Sequence, residues 1–276
     1  MHRGPRTRVP RPSGAPRRSL GILALLAACA APPAAENTGL ARELRVVSYN
    51  VRHGRGLDER VDLARTAAVI RALDPDLVAL QEIDERVARS GGIDEAAELG
   101  RVLGMQHAFG SFMDYQGGRY GMAILSRLPI RTVEPITLPP GNEPRVALHV
   151  ELELPDRRSI SLVSVHFDWV ADDTFRFAQA LALCERLDAQ TQPYLVVGDF
   201  NDGPASRTLG LFRARAQEAA KPPGGQATYP AGSPTREIDY VFAAPPEAWS
   251  VREVRVVDER VASDHRPVLA VLRLLR

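Results

Sequence analysis

A short aliphatic run, Tyr194-Leu195-Val196-Val197, leads into Gly198-Asp199-Phe200-Asn201-Asp202, so a carboxylate and a carboxamide sit two residues apart where apolar sequence ends. In extended chain, residues i and i+2 share a face, and Asp199 and Asn201 can converge on one small target. Asp202-Gly203-Pro204 adds turn chemistry. The pair therefore belongs at a strand exit, where α/β sheets commonly hold ligands. Taken alone, the same residues also describe a turn with two local side-chain caps.

Other apolar runs end in the same manner. Val46-Val47-Ser48-Tyr49 delivers Asn50, Val78-Ala79-Leu80-Gln81 delivers Glu82, and Leu162-Val163-Ser164-Val165 delivers His166. Asp239 follows Glu237-Ile238, and Ser263-Asp264-His265 precedes a run that starts at Pro267. Each has a plainer explanation: Asn50 as a turn cap, Glu82 as a surface helix start, His166 as a hydrogen-bonded core imidazole. Gathered at one rim, several carboxylates repel one another unless a cation sits among them. Oxygen donors with spare water positions suit Mg²⁺ or Mn²⁺.

The elements that must position these groups alternate. Leu44 to Val51 reads as a strand, and Val61 to Leu73 as a helix stopping at Asp74-Pro75; Leu77 to Leu80 reads as a second, buried strand, a βαβ opening. A helix over 94–103 is followed by strands over 122–126, 130–136, 147–154 and 160–166, antiparallel in style. A helix over 172–189 precedes the Tyr194 strand, and strands near 239–242, 251–257 and 268–272 close the chain. In that helix Phe177, Ala180, Leu181, Cys184 and Leu187 fall on one stripe, which makes Cys184 a small core residue. The pattern predicts an α/β protein of two packed mixed sheets with helices outside.

The ordered motifs Ser48-Tyr49-Asn50, Leu80-Gln81-Glu82, Tyr120-Gly121-Met122-Ala123-Ile124-Leu125-Ser126-Arg127, Val165-His166-Phe167-Asp168, Gly198-Asp199-Phe200-Asn201, Ile238-Asp239-Tyr240 and Ser263-Asp264-His265-Arg266-Pro267-Val268 resemble the endonuclease/exonuclease/phosphatase superfamily. The resemblance runs from about Arg45 to Leu272. It implies a four-layer α/β sandwich and a Mg²⁺-dependent phosphoric ester hydrolase, a phosphodiesterase before a phosphatase. Glu82 is then the principal metal ligand, with Asn50 and Asp264 near the ion. Asp199 orients and deprotonates the attacking water, Asn201 holds that water or a phosphate oxygen, and His166 and His265, the latter oriented by Asp239, donate to phosphoryl oxygens. Met122 stands where the motif usually carries asparagine, which removes an amide. His53 lies where some nucleases of the group have an acidic residue, and Arg145 is a candidate phosphate contact or a surface salt bridge. A nuclease acting on DNA or RNA is one alternative. Another is a non-catalytic surface binding module, against which stand the intact Glu82, Asp199, Asn201, Asp264 and His265.

The front of the chain is different in kind. Residues 1 to 19 carry six arginines and no acid, and Leu20 to Ala28 is continuously apolar. This is the pattern of a secretory signal, too short for a membrane-spanning helix of about 20 residues. Leu26-Ala27-Ala28-Cys29 resembles a bacterial lipobox, and Arg17-Arg18 a loose twin-arginine signal. The expected organisation is a signal peptide over 1–29 ending at a lipidated Cys29, a tether over 30–43, and a catalytic domain over 44–276. The protein is expected at the cell envelope as a lipoprotein, otherwise periplasmic or secreted, and monomeric. Without the six signal arginines, 35 basic residues fall to 29 against 34 acidic ones. That mildly acidic balance does not favour non-specific binding of polyanions. Loops 86–94, 114–119 and 221–234 show no aromatic and basic interleaving assignable to base stacking. Phospholipid headgroup and nucleic acid both stay open as substrates.

Overall fold

The structure is a computed structural model that describes residues 43–275 together with positions 1, 2 and 4. The expected signal segment, Cys29 and nearly all of the tether lie outside the described residues. From Glu43 onward the elements run β1 (Glu43–Asn50), α1 (Leu63–Leu73), β2 (Leu77–Glu85), α2 (Glu95–Leu103), β3 (Gln106–Tyr115), β4 (Gly118–Ser126), β5 (Ile130–Thr137), β6 (Val146–Glu153), β7 (Ser159–His166), α3 (Thr174–Leu187), β8 (Tyr194–Asp199), α4 (Arg207–Arg213), β9 (Gln217–Glu218), β10 (Asp239–Ala244), β11 (Trp249–Val256) and β12 (Val268–Leu274).

Among the described residues they form two six-stranded mixed sheets, ordered β11-β12-β1-β2-β4-β3 and β5-β6-β7-β8-β10-β9. Strand alternation divides the apolar side chains into three layers. Leu44, Val46, Leu77, Ala79, Leu195, Val197 and Leu272 pack between the sheets. The opposite faces of β1 and β2 send Val47, Tyr49, Val78 and Leu80 against Ala67 and Ile70 of α1 and Leu99 of α2. Val163, Val165 and Val196 meet Ala180, Leu183 and Cys184 of α3 and Phe212 of α4. The result is the expected four-layer α/β sandwich. Each fully buried Val, Leu or Ile contributes about 1.5–3 kcal/mol of transfer free energy, which is why both faces of the central strands read as unbroken apolar runs.

Helix ends follow local chemistry. Asp62 accepts the Arg65 N–H and starts α1 at Leu63, two residues after the sequence pattern suggests. Asp94 accepts the Ala97 N–H at the start of α2, and Gly104 closes that helix at φ +67°. Three elements escape the sequence pattern: β3, β9 and α4. In α3 the buried stripe is Arg176, Gln179, Ala180, Leu183, Cys184 and Leu187, with Phe177 and Leu181 only partly buried. Cys184 is a core residue, and burial pushes its thiol up to about 12.

Candidate active site

Register alone brings half of the site together. β7 and β8 run parallel with His166 opposite Asp199, and β8 and β10 run antiparallel with Asp199 opposite Asp239. β7 and β8 thus end, and β10 begins, in a row of His166, Asp199 and Asp239. The first sheet repeats the device: β1 and β2 are parallel, with Asn50 opposite Gln81. In both sheets the central parallel pair is joined by a helix, α1 or α3, so each sheet releases two strand C-termini at one edge. Asp264 and His265 arrive from the segment that leads into β12, where the Ser263 hydroxyl donates to the Asn50 carbonyl oxygen at 2.7 Å.

Backbone irregularities complete the aim. In β2, Gln81 pairs with Met122 and Ile83 with Gly121, leaving Glu82 as the extra residue of a bulge at φ +58°. Strict alternation would send Glu82 toward the helices; the bulge turns it to Asn50 instead. Asn201 is also left-handed, at φ +51°. Non-glycine residues held there cost on the order of 1–3 kcal/mol and cluster at functional sites. At Gly198, φ is +154° and a Cβ would lie 2.0 Å from the Val165 carbonyl oxygen, so only glycine lets β8 approach β7 this closely.

Asp199 is the centre of the constellation. Its Oδ1 accepts the Asn201 N–H at 2.8 Å. Its Oδ2 accepts from Asn50 Nδ2 at 3.2 Å and lies 3.6 Å from Nε2 of both His166 and His265. Asn50 Nδ2 also donates to Glu82 Oε1 at 3.0 Å, while its Oδ1 accepts the Arg52 N–H with one lone pair left over. His265 Nδ1 meets Asp239 Oδ2 at 3.0 Å. Asn201 Nδ2 donates to the Phe167 carbonyl oxygen at 3.0 Å and ties the β8 exit to the β7 exit.

Charges follow from these contacts. Burial pushes the Asp199 carboxyl up, with Asp239 adding to the rise and the His265 charge opposing it. Burial alone would lower His265, but Asp239 and Asp199 outweigh it and hold the ring as imidazolium. His166 is driven well down by burial and by the Arg145 and His265 charges, so it is neutral. Its Nδ1 is buried without a partner, and a proton there would be stranded; the proton belongs on Nε2, facing Asp199. Burial also raises Glu82, with the Asn50 hydrogen bond opposing and Asp264 adding.

The donor chemistry suits a hard divalent cation. Glu82 and Asp264 offer carboxylates and Asn50 an amide oxygen, all oxygen donors. Asp199, Asp239 and His265 also place three possible ligand atoms within 4.8 Å of one another. That trio is better described as an imidazolium hydrogen-bonded to Asp239 and ion-paired with Asp199 at 3.6 Å, because a doubly protonated ring has no lone pair for a metal.

All nine residues singled out from sequence except Asn50 and Asp239 line one cavity of about 330 Å³, and those two contact its walls directly. Arg145 is buried, not a surface residue. Its Nη2 meets Glu143 Oε2 at 3.0 Å and its guanidinium lies 4.9 Å from the Phe112 ring centroid, while Nε and Nη1 have no partner. His53 does not reach the cavity: it is buried beside Arg55, Glu59 and Arg89, and burial and the Arg89 charge push it down to about 4. Met122 packs between the sheets. Sequence reasoning missed Tyr120, Glu143, Trp169, Tyr229 and Arg236, which also line the cavity. Trp169 had one usable signal, its position three residues after His166 at a strand exit.

The family model for the endonuclease/exonuclease/phosphatase family matches residues 47–265. This chain belongs to that family. Endonuclease/exonuclease/phosphatase members are metal-dependent phosphoester hydrolases. The uncharacterised protein YbhP of Escherichia coli K12 is 25% identical over 248 residues, covering 83% of this chain and 96% of YbhP. A crystal structure of an endonuclease/exonuclease/phosphatase from Beutenbergia cavernae is 26% identical, with TM-score 0.66 over 84% of this chain and 72% of that one. The mannosyl-6-phosphatase Bt3783 of Bacteroides thetaiotaomicron shares the fold at 18% identity and TM-score 0.67, covering 83% of this chain and 99% of its own.

Proposed function

We propose that the protein is a Mg²⁺- or Mn²⁺-dependent phosphodiesterase in which Asp199 activates the attacking water. The observation that carries this reading is the position of Asp199 Oδ2, within 3.6 Å of two imidazole Nε2 atoms and 3.2 Å of Asn50 Nδ2. Glu82, Asn50 and Asp264 would hold the cation, which when bound polarises a phosphate oxygen and offsets developing charge. Asp199, held by the Asn201 N–H, takes the proton from water. Burial strengthens it as a base beyond an ordinary carboxylate. His265, kept charged by Asp239, and neutral His166 through Nε2–H donate to the phosphoryl oxygens as charge builds on them. Arg145, which lines the cavity, directs positive charge toward a non-bridging oxygen.

A diester suits the cavity better than a monoester. Glu82, Glu143, Asp199 and Asp264 line it against Arg145, Arg236 and His265, so a singly charged phosphate meets less repulsion than a dianion. The shared fold of a mannosyl-6-phosphatase makes the monoester the reading to exclude. The chain should be assayed on bis-p-nitrophenyl phosphate and p-nitrophenyl phosphate with Mg²⁺, Mn²⁺ or chelator, beside Asp199→Ala and His265→Ala. The expected result is metal-dependent cleavage of the diester, with each variant slowed about 10²–10⁴-fold. Equal rates in wild type and variants would overturn the assignment, and cleavage of the monoester alone would overturn its diester part.

A further inference from the structure

Trp169 combines a fixed backbone with a free side chain. It lines the catalytic cavity with 56% of its surface exposed, whereas Trp249 is buried and donates to the Ala244 carbonyl oxygen. On either side of it the chain is pinned. The Asp168 N–H donates to Gln179 Oε1 at 3.0 Å, the Val170 N–H donates to Asp168 Oδ1 at 3.1 Å, and Arg176 Nη1 donates to the carbonyl oxygens of Asp168 at 3.2 Å and Val170 at 2.7 Å. Arg176 and Gln179 are themselves buried. An indole left in water on a backbone held this firmly is a pre-organised stacking surface, since little ordering remains to oppose binding.

The rest of the cavity decides what would stack. A quaternary ammonium needs several aromatic faces around it. Tyr120 and Tyr229 do not supply them: the Tyr120 ring packs edge-on against Phe112 at 5.6 Å with Arg89 5.0 Å from its centroid, and the Tyr229 ring packs against His265 at 4.9 Å with Arg236 5.8 Å from its centroid. One free indole face beside cationic donors for phosphate fits a flat, ring-bearing ester group. At about 330 Å³ the cavity is at the small end of ligand clefts and takes the end group of a substrate, not a duplex.

We propose that Trp169 selects phosphoesters whose non-leaving ester group carries a flat π ring, a nucleoside or an aryl group, by stacking on that ring while Arg145 engages the phosphate. The proposal rests on the hydrolase reading above and narrows its substrate class.

Two measurements test it separately from that reading. Adenosine 5′-monophosphate, ribose 5-phosphate and phosphocholine are titrated against tryptophan emission of the full chain with Mg²⁺. Adenosine monophosphate should quench the exposed indole, the other two should not, and Trp169→Ala should abolish the response. Quenching by all three alike, or by none, would overturn the proposal; so would a blue shift on phosphatidylcholine vesicles without a response to the nucleotide, which would make Trp169 a membrane contact. In kinetics, methyl p-nitrophenyl phosphate and thymidine 5′-p-nitrophenyl phosphate share a leaving group. Trp169→Ala should raise KM for the thymidine ester about 5- to 150-fold relative to the methyl ester, the range that one stacked base contributes. Trp169→Phe should recover part of that difference. An equal change for both esters would overturn ring selection, whereas failure of wild type to cleave either ester would overturn the hydrolase reading and leave the titration to decide on Trp169.

Discussion

Two glutamates, Glu95 and Glu82, are pushed upward by burial, and their partners separate their roles. Glu95 lies 1% exposed on α2 and accepts the Asp84 N–H at 2.9 Å; burial, with the Asp84 charge adding, pushes its carboxyl up to about 8. An unfolded glutamate titrates near 4.3, so the folded protein binds the extra proton between those values. The contribution is fully present below about pH 4 and is lost as pH rises through about 8. Glu95→Gln should therefore match wild type near pH 4 and exceed it at pH 9 by on the order of 1–3 kcal/mol, read as a pH series of urea midpoints. A wild-type advantage at pH 9 would refute the assignment. Glu82 has Asn50 and Asp264 for company, the set proposed to hold a cation. Mg²⁺ or Mn²⁺ at about 100 times its Kd should stabilise the protein by about 2.7 kcal/mol, several degrees in Tm, and Glu82→Gln should remove most of that shift. An undiminished shift in the variant would place the ion elsewhere.

Elements carry a polar logic that apolar periodicity misses. Arg176 Nε meets Asp202 Oδ2 at 3.0 Å, with both side chains largely buried, and the same guanidinium holds the Asp168 and Val170 carbonyls. Arg176→Met leaves Asp202 buried without its partner, which costs about 3–5 kcal/mol. Arg176→Met with Asp202→Asn should recover part of the loss, measured by thermal melts of both variants; an additive double variant would mean that the pair is not coupled. These residues also explain what the sequence conceals. Arg176 and Gln179 extend the buried stripe of α3 with polar heads, so an apolar count drifts to Phe177 and Leu181. β3 buries Ala108, Gly110 and Phe112 on an edge strand, and two of those three side chains are too small to mark a strand. Asn50, Glu82, His166 and Asp199 were legible because each closes a largely apolar run, and Asp239, Asp264 and His265 because each stands just ahead of one. Their convergence was not, since it depends on the pairings His166–Asp199–Asp239 and on the bulge at Glu82, which no local pattern announces.

At the scale of the whole molecule, the open question is what holds the protein where its substrate is. No helix among the described residues is long and apolar enough to cross a membrane. Ahead of them, the stretch Leu20 to Ala28 is nine residues long, less than half of the roughly 20 a spanning helix needs. Attachment by that stretch alone would therefore be weak, and a covalent lipid on Cys29 is the device proposed to supply it. One acyl chain gives marginal, reversible binding and a second makes it stable. Counted without the six arginines of residues 1–19, the chain carries 29 basic against 34 acidic residues, so attraction to anionic lipid does not substitute for the proposed anchor. Cys29→Ser should move the protein from the membrane fraction to the soluble fraction of a fractionated cell by about tenfold or more, with phosphoester hydrolase activity following the protein. An unchanged membrane fraction would refute lipidation at Cys29 and require a surface of the folded domain to make the contact instead.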